Sequence, residues 1–198
     1  MKTIAMMLCL AAVLTSCEKK KKYETSVSGI VKEKNGTRII AGAKVYLLKL
    51  YDSPYSNSGE KIDSAVTGKD GRYKFTFNEG HERFRVVAYA EDYYTNGEGG
   101  EANVEVGDNQ TLNIELWPHA WLKVNFLNQS GASGVNVNRF YGEVFGYQIY
   151  GQEDATVIGQ VLGNDTNDVN YFVYPEGKAL QRAVYCSGLD TTFLQIIY

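Results

Sequence analysis

Beyond its N-terminal segment the chain shows almost no helical periodicity. Apolar and polar residues alternate instead with a period of two, rich in Val, Ile, Tyr and Phe, between clusters of Gly, Asn and Asp. A period of two sends successive side chains to opposite faces, so each run has one face to bury, and two sheets packed face to face do that. The chain is therefore expected to be all-β. With 44% hydrophobic residues, 13% aromatic residues and 198 residues in all, it has the means to bury one large core or two small ones.

The clearest unit runs from Ser26 to Trp117. Seven strands are expected there: Val27-Gly29-Val31, Val45-Leu47, Ile62 to Val66, Tyr73-Phe75-Phe77, Phe84-Val86-Ala88, Val104-Val106 and Leu112-Ile114-Leu116. Asp70-Gly71 reads as a hairpin turn, because glycine accepts the positive φ such turns require. Trp117-Pro118 is expected to end the seventh strand, since proline lacks the N–H a ladder uses. A second β-rich segment begins at Trp121-Leu122-Lys123-Val124. Further strands are expected near Glu143–Tyr150, Thr156–Leu162, Val169–Tyr174, Leu180–Cys186 and Thr192–Tyr198. The expected organisation is two tandem β-sandwich domains, residues 26–118 and 119–198.

The blocks V-S-G-I-V, A-G-A-K-V-Y-L, V-T-G-K-D-G-R-Y-K-F and F-R-V-V-A-Y-A-E-D-Y follow one another in order at sensible spacing in the first unit. In that order they resemble the carboxypeptidase regulatory-like family, whose fold is transthyretin-like (prealbumin-like). Two positions depart from the pattern: Ile40-Ala41 stands where a proline usually precedes G-A-x-V, and Asp92-Tyr93 replaces a late Gly-Tyr. The resemblance implies an accessory or spacer module of secreted and surface proteins, and no peptidase activity. No family resemblance attaches to residues 119–198.

The first residues read as an address. Lys2 is followed by an apolar run, Ile4 to Val13, and then by Leu14-Thr15-Ser16-Cys17. The run is shorter than the about 20 residues needed to span a bilayer and suits a secretory signal. Leu14 to Cys17 resembles the lipobox of bacterial lipoproteins. That resemblance implies cleavage after Ser16, so that 1–16 is a signal peptide and 17–25 a lipidated, basic tether. Cys17 would carry the lipid, and the membrane would be a partner through it, most simply the outer membrane of the cell envelope. Lys19 to Lys22 would then face head groups. From Tyr23 onward 15 Lys+Arg stand against 22 Asp+Glu, a net of −7. That balance argues against nucleic acid as a partner. Of the three cysteines, only Cys186 lies outside the segment up to Cys17, so no internal disulfide is expected and Cys186 is read as a small buried hydrophobe.

Catalytic constellations are missing from the sequence. There are two histidines, His81 and His119, in no metal-ligand spacing, and no G-x-S-x-G elbow. No enzyme, cofactor or metal is expected. A Lys32–Asn113 isopeptide crosslink is disfavoured because strand parity sends both side chains outward. Gly163 to Asp168 is rich in hard oxygens but lacks calcium-loop register. Asn35, Asn109, Asn128 and Asn164 stand in N-x-S/T, a signal usually silent in bacteria. Asp63-Ser64-Ala65 and Asp190-Thr191-Thr192 resemble a bacterial O-glycosylation sequon at Ser64 and Thr191.

Two loops concentrate aromatic rings and carboxylates: one with Tyr51 and Tyr55, the other with Tyr93, Tyr94, Glu98 and Glu101. With strands alternating in direction, the first loop falls at the tethered end. The second falls at the far end, beside the interdomain junction with Trp117, His119 and Trp121. The expected function is a non-catalytic binding or spacer module for a glycan or an envelope protein. The alternative is a pilin-like or adhesin subunit that pairs through a C-terminal edge strand.

Overall fold

A computed structural model describes residues 23–51, 59–79, 82–94, 100–139, 147–150, 154–175 and 177–198. The protein is all-β, and no helix occurs among these residues. The signal segment, Cys17, Tyr55, His81 and Glu98 lie outside them.

The first half is two sheets around one core. In one sheet β1 (Tyr23–Glu33) pairs antiparallel with β4 (Arg72–Glu79) and parallel with β8 (Asn109–Thr111) and the start of β9 (Ile114–Leu127). In the other, β3 (Gly59–Val66), β2 (Lys44–Leu50), β5 (Phe84–Tyr89) and β7 (Glu101–Val104) lie in that order, all antiparallel. Inward residues come from alternate positions: Val27, Val31, Tyr73, Phe75, Ile114 and Leu116 from the first sheet meet Val45, Leu47, Phe84, Val86 and Val104 from the second. Each such fully buried side chain contributes about 1.5–3 kcal/mol.

Asp70-Gly71 is a turn, but no hairpin. Gly71 takes a positive φ of 68° as expected, and its N–H bonds Gly68 O. The strands on either side, β3 and β4, belong to different sheets, so this turn carries the chain across the sandwich. Parity holds for Lys32 and Asn113. Lys32 bonds Glu115 on the outer face, and Asn113 accepts the Ile30 N–H at an exposed position.

The expected strand end at Pro118 is overturned. β9 runs without a break from Ile114 to Leu127, and its buried residues keep phase throughout: Ile114 and Leu116 enter the first core, then Ala120, Leu122, Val124 and Phe126 the second. The missing N–H of Pro118 falls where the ladder changes partner. Pairing with β1 stops at Leu116, and pairing with β12 (Ala155–Leu162) starts at His119. Pro118 O, on that same edge, accepts Gly163 N. A proline therefore costs β9 no ladder bond.

In the second half β12 and β15 (Thr191–Ile197) flank β9, the first antiparallel and the second parallel. Opposite them lies the sheet β11 (Tyr147–Tyr150), β10 (Gly134–Arg139), β13 (Asp165–Tyr174) and β14 (Lys178–Cys186). Val135, Val137, Val169, Tyr171, Val173 and Cys186 close a second core on Leu122, Val124 and Phe126. The oxygen-rich turn is shorter than the sequence suggested, because β13 begins at Asp165. Asn167 is buried and bonds both N–H and C=O of Leu162, and Asn164 bonds Lys34 O and Gly188 N. These oxygens and amides serve the backbone, and no metal-holding cluster occurs among the described residues.

Candidate binding site

Four turns meet where the two halves join, and each contains a non-glycine residue in the left-handed region: Asn35 (φ 53°), Asp92 (65°), Asn164 (56°) and Leu189 (60°). Asn and Asp adopt that region readily, whereas leucine does not. At the centre is Glu33, a buried carboxylate at the end of β1. Tyr93 Oη donates to Glu33 Oε1 at 2.9 Å, and Arg38 Nε lies 3.4 Å from the same oxygen. Asn164 Nδ2, from the second half, reaches Glu33 Oε2 at 3.4 Å and Lys34 O at 3.3 Å. Burial, and then the adjacent Glu33 carboxylate, push the Tyr93 hydroxyl up to about 12. On the outer face Glu115 bridges Lys32 at 2.9 Å and Lys34 at 3.1 Å, and the hydrogen bonds from those lysines hold its carboxyl below the usual range.

Tyr93 and Tyr94 form a two-residue strand, β6 (Tyr93–Tyr94), along β9 at Trp117 and Pro118. Its partners place this loop at the junction. Tyr51 lies at the opposite end, where Arg83 bonds its carbonyl oxygen. Glu101 is likewise committed, to Arg85 at 2.9 Å. Tyr93 thus serves the joint. Ser64 is exposed on the edge strand β3, and Thr191 is exposed at the start of β15.

Beside the joint the structure opens a groove of about 200 Å³ lined by Asp92, His119, Trp121, Gln160 and Leu189. His119 is fixed on three sides. Its N–H donates to Asp92 O at 2.8 Å, its C=O accepts Leu189 N–H at 2.7 Å, and its ring packs edge-on against Tyr94 at 4.4 Å. The groove runs onto the outer face of the β12–β9–β15 sheet. In register there lie Gln160, Trp121 and Thr191, then Ile158, Lys123 and Phe193. Trp121 is 47% exposed, Ile158 51%, Ile197 54% and Phe193 68%, values that mark a face with no covering layer among the described residues. The Lys123 ammonium lies over the Phe193 ring at 5.6 Å. Sequence reasoning placed Trp121 at the junction but read neither Gln160 nor Phe193 as part of a site; the odd-numbered apolar positions of β15, polar-face positions in an ordinary strand, were the available signal.

No family model and no curated protein matches the chain. Among solved structures it is similar to GBS52, the minor pilin of Streptococcus agalactiae, at 13% identity and TM-score 0.40, over 88% of this chain and 94% of that one. A DUF3823 family protein from Parabacteroides merdae gives 13% identity and TM-score 0.35, over 83% and 99%. The Bacillus anthracis TIE protein gives 10% identity and TM-score 0.40 over 88% of this chain, which spans only 34% of that protein. Likeness at this level carries no functional argument, and the all-β, sandwich-like class rests on the strand order and register above.

Proposed function

We propose that this is a non-catalytic protein of the bacterial cell envelope, lipid-anchored at Cys17, that holds a binding surface at a set distance from the membrane. The observation that carries the reading is the exposed face of Trp121, Ile158, Phe193 and Ile197 on a body whose two cores share one strand. Large apolar side chains left uncovered together on one sheet face, interleaved here with Gln160, Lys123 and Asn125, suit an interaction surface that is part apolar and part polar. β1 has 11 residues and β9 has 14, overlapping at three paired positions. At about 3.3 Å per residue they set Trp121 roughly 50 Å and the end of β9 roughly 70 Å from the start of β1, measured along the strands. The two sheets of the first half around one core are compatible with the sandwich fold that the carboxypeptidase regulatory-like resemblance implies, and so with a spacer role for that half.

Full-length protein held in detergent should co-sediment with detergent-insoluble envelope fragments, which offer its lipid no bilayer to enter, and the double substitution Trp121→Ser, Phe193→Ser should abolish this. Equal sedimentation of the variant would refute the surface. Cys17→Ala should lose labelling by radioactive palmitate; retained label would refute the anchor.

A pilin-like or adhesin role is favoured by one observation. β15 pairs only with β9 among the described residues, and Thr191–Ile197 contains no charge, glycine or proline to guard its other edge. In that case light scattering should grow with protein concentration and Gln195→Lys should suppress the growth.

A further inference from the structure

We infer that the junction groove is a subsite for one sugar ring of a neutral glycan, stacked on Trp121. The inference rests on the binding-surface reading above and names its ligand. The lining is chemically mixed: one indole, one leucine, an imidazole, an amide and a carboxylate. Such a set both donates and accepts hydrogen bonds beside an aromatic plane. A pyranose has the matching surface, an apolar C–H face ringed by hydroxyls that donate and accept.

Size points the same way. A groove of about 200 Å³ is smaller than the about 300–1,000 Å³ of enclosed small-molecule sites, so it takes one unit of a longer chain. The sheet continues the track. Trp121 pairs with Thr191, and Phe193 lies two residues further along the same strand on the same face. Diagonal neighbours of this kind sit about 7–8 Å apart, which sets a second ring within reach of the next sugar.

Charge selects a neutral chain. Asp92 lines the groove, Asp190 precedes Thr191, and the chain from Tyr23 onward carries a net of −7. Lys123, paired with Phe193 in register, lies over that ring. The groove is also preorganised. Leu189 is held in the left-handed region, 39% exposed, by its bond to His119 O. Backbone strain of this type gathers at ligand sites, and a His119 fixed by Asp92, Leu189 and Tyr94 has little freedom left to lose on binding.

The test is affinity electrophoresis of the full-length protein in detergent, in native gels containing soluble starch, dextran, xylan, galactomannan or yeast mannan, with polygalacturonate and heparin as anionic counterparts. At least one neutral polymer should retard the protein and neither anion should. Trp121→Ala should weaken that retardation by about tenfold or more. Trp121→Phe should keep most of it, and Trp117→Phe should leave it unchanged. No retardation by any neutral polymer, retardation by the anions alone, or a Trp121→Ala protein that behaves as the parent would each overturn the inference. If the neutral polymers fail while co-sedimentation with envelope fragments persists and is destroyed by protease treatment of the fragments, the surface binds a protein. The binding-surface reading then stands and the sugar subsite falls.

Discussion

Replacing Tyr93 with Phe deletes one hydroxyl from the joint and leaves the ring in place. Tyr93 and Glu33 are both buried, at 8% and 7% exposure, and their hydrogen bond is 2.9 Å long. Without it Glu33 keeps Arg38 and Asn164, each at 3.4 Å, so a buried carboxylate loses its one short partner. A hydrogen bond to a charged group contributes about 1.5–3 kcal/mol, and the expected loss is about 2 kcal/mol in urea unfolding near neutral pH. The alkaline limb gives a second reading. The folded-state pKa of Tyr93 is raised from 10.0 to about 12, so its contribution is fully present below pH 10 and is lost as pH rises from 10 to 12. The gap between parent and variant should therefore narrow above pH 10. A loss below about 0.5 kcal/mol, or a gap that does not change with pH, would refute the assignment of Tyr93 as the latch on Glu33.

Gly29→Ala should be far more severe than its size suggests, because a Cβ there would run into the backbone oxygen of Leu112; a loss above about 3 kcal/mol or insoluble protein is expected, read by thermal melting. Phe126→Ala should cost about 3–5 kcal/mol and, in hydrogen exchange, strip protection from β12 and β13 before β2 and β5, since Phe126 belongs to the second core alone. A fragment of residues 23–118 keeps the whole first core but lacks Asn164. It should fold alone with a dispersed amide spectrum and a lowered melting temperature, and an undispersed spectrum would show that the halves fold only together.

Much of the first half was legible because its strands obey parity. Val27, Val31, Tyr73, Phe75, Val45 and Leu47 are buried where alternation puts them, and Lys32 and Asn113 point out. What escaped is non-local. Nothing near Asp70-Gly71 says that its two strands join different sheets; that depends on β4 finding β1 and β3 finding β2, far along the chain. Pro118 misled because a missing N–H matters only where a partner waits, and here the partners change over. The unbroken phase of I-E-L-W-P-H-A-W-L-K-V was the signal to weigh above the proline. The groove was half legible. Trp121 and the Asp92 turn could be placed at the junction from strand direction, but Gln160, Leu189 and Phe193 arrive through β12 and β15, whose register on β9 no local pattern encodes.

The passage from β1 to β9 also has a mechanical meaning. A pull between the start of β1 and the far sheet enters along β1 and leaves along β9, two parallel strands that meet at Val31, Lys32 and Glu33 against Ile114, Glu115 and Leu116, with β8, just before β9, alongside Ser26 to Ser28. This is a lap joint between two rods, loaded in shear, so its backbone bonds must give way together instead of unzipping one at a time. The overlap is short, and the side chains fasten it: Glu115 clamps Lys32 and Lys34 across one face, while Tyr93 and Asn164 grip Glu33 on the other. Two clusters of polar side chains are thus gathered at the point where a body pulled from its two ends would otherwise part first.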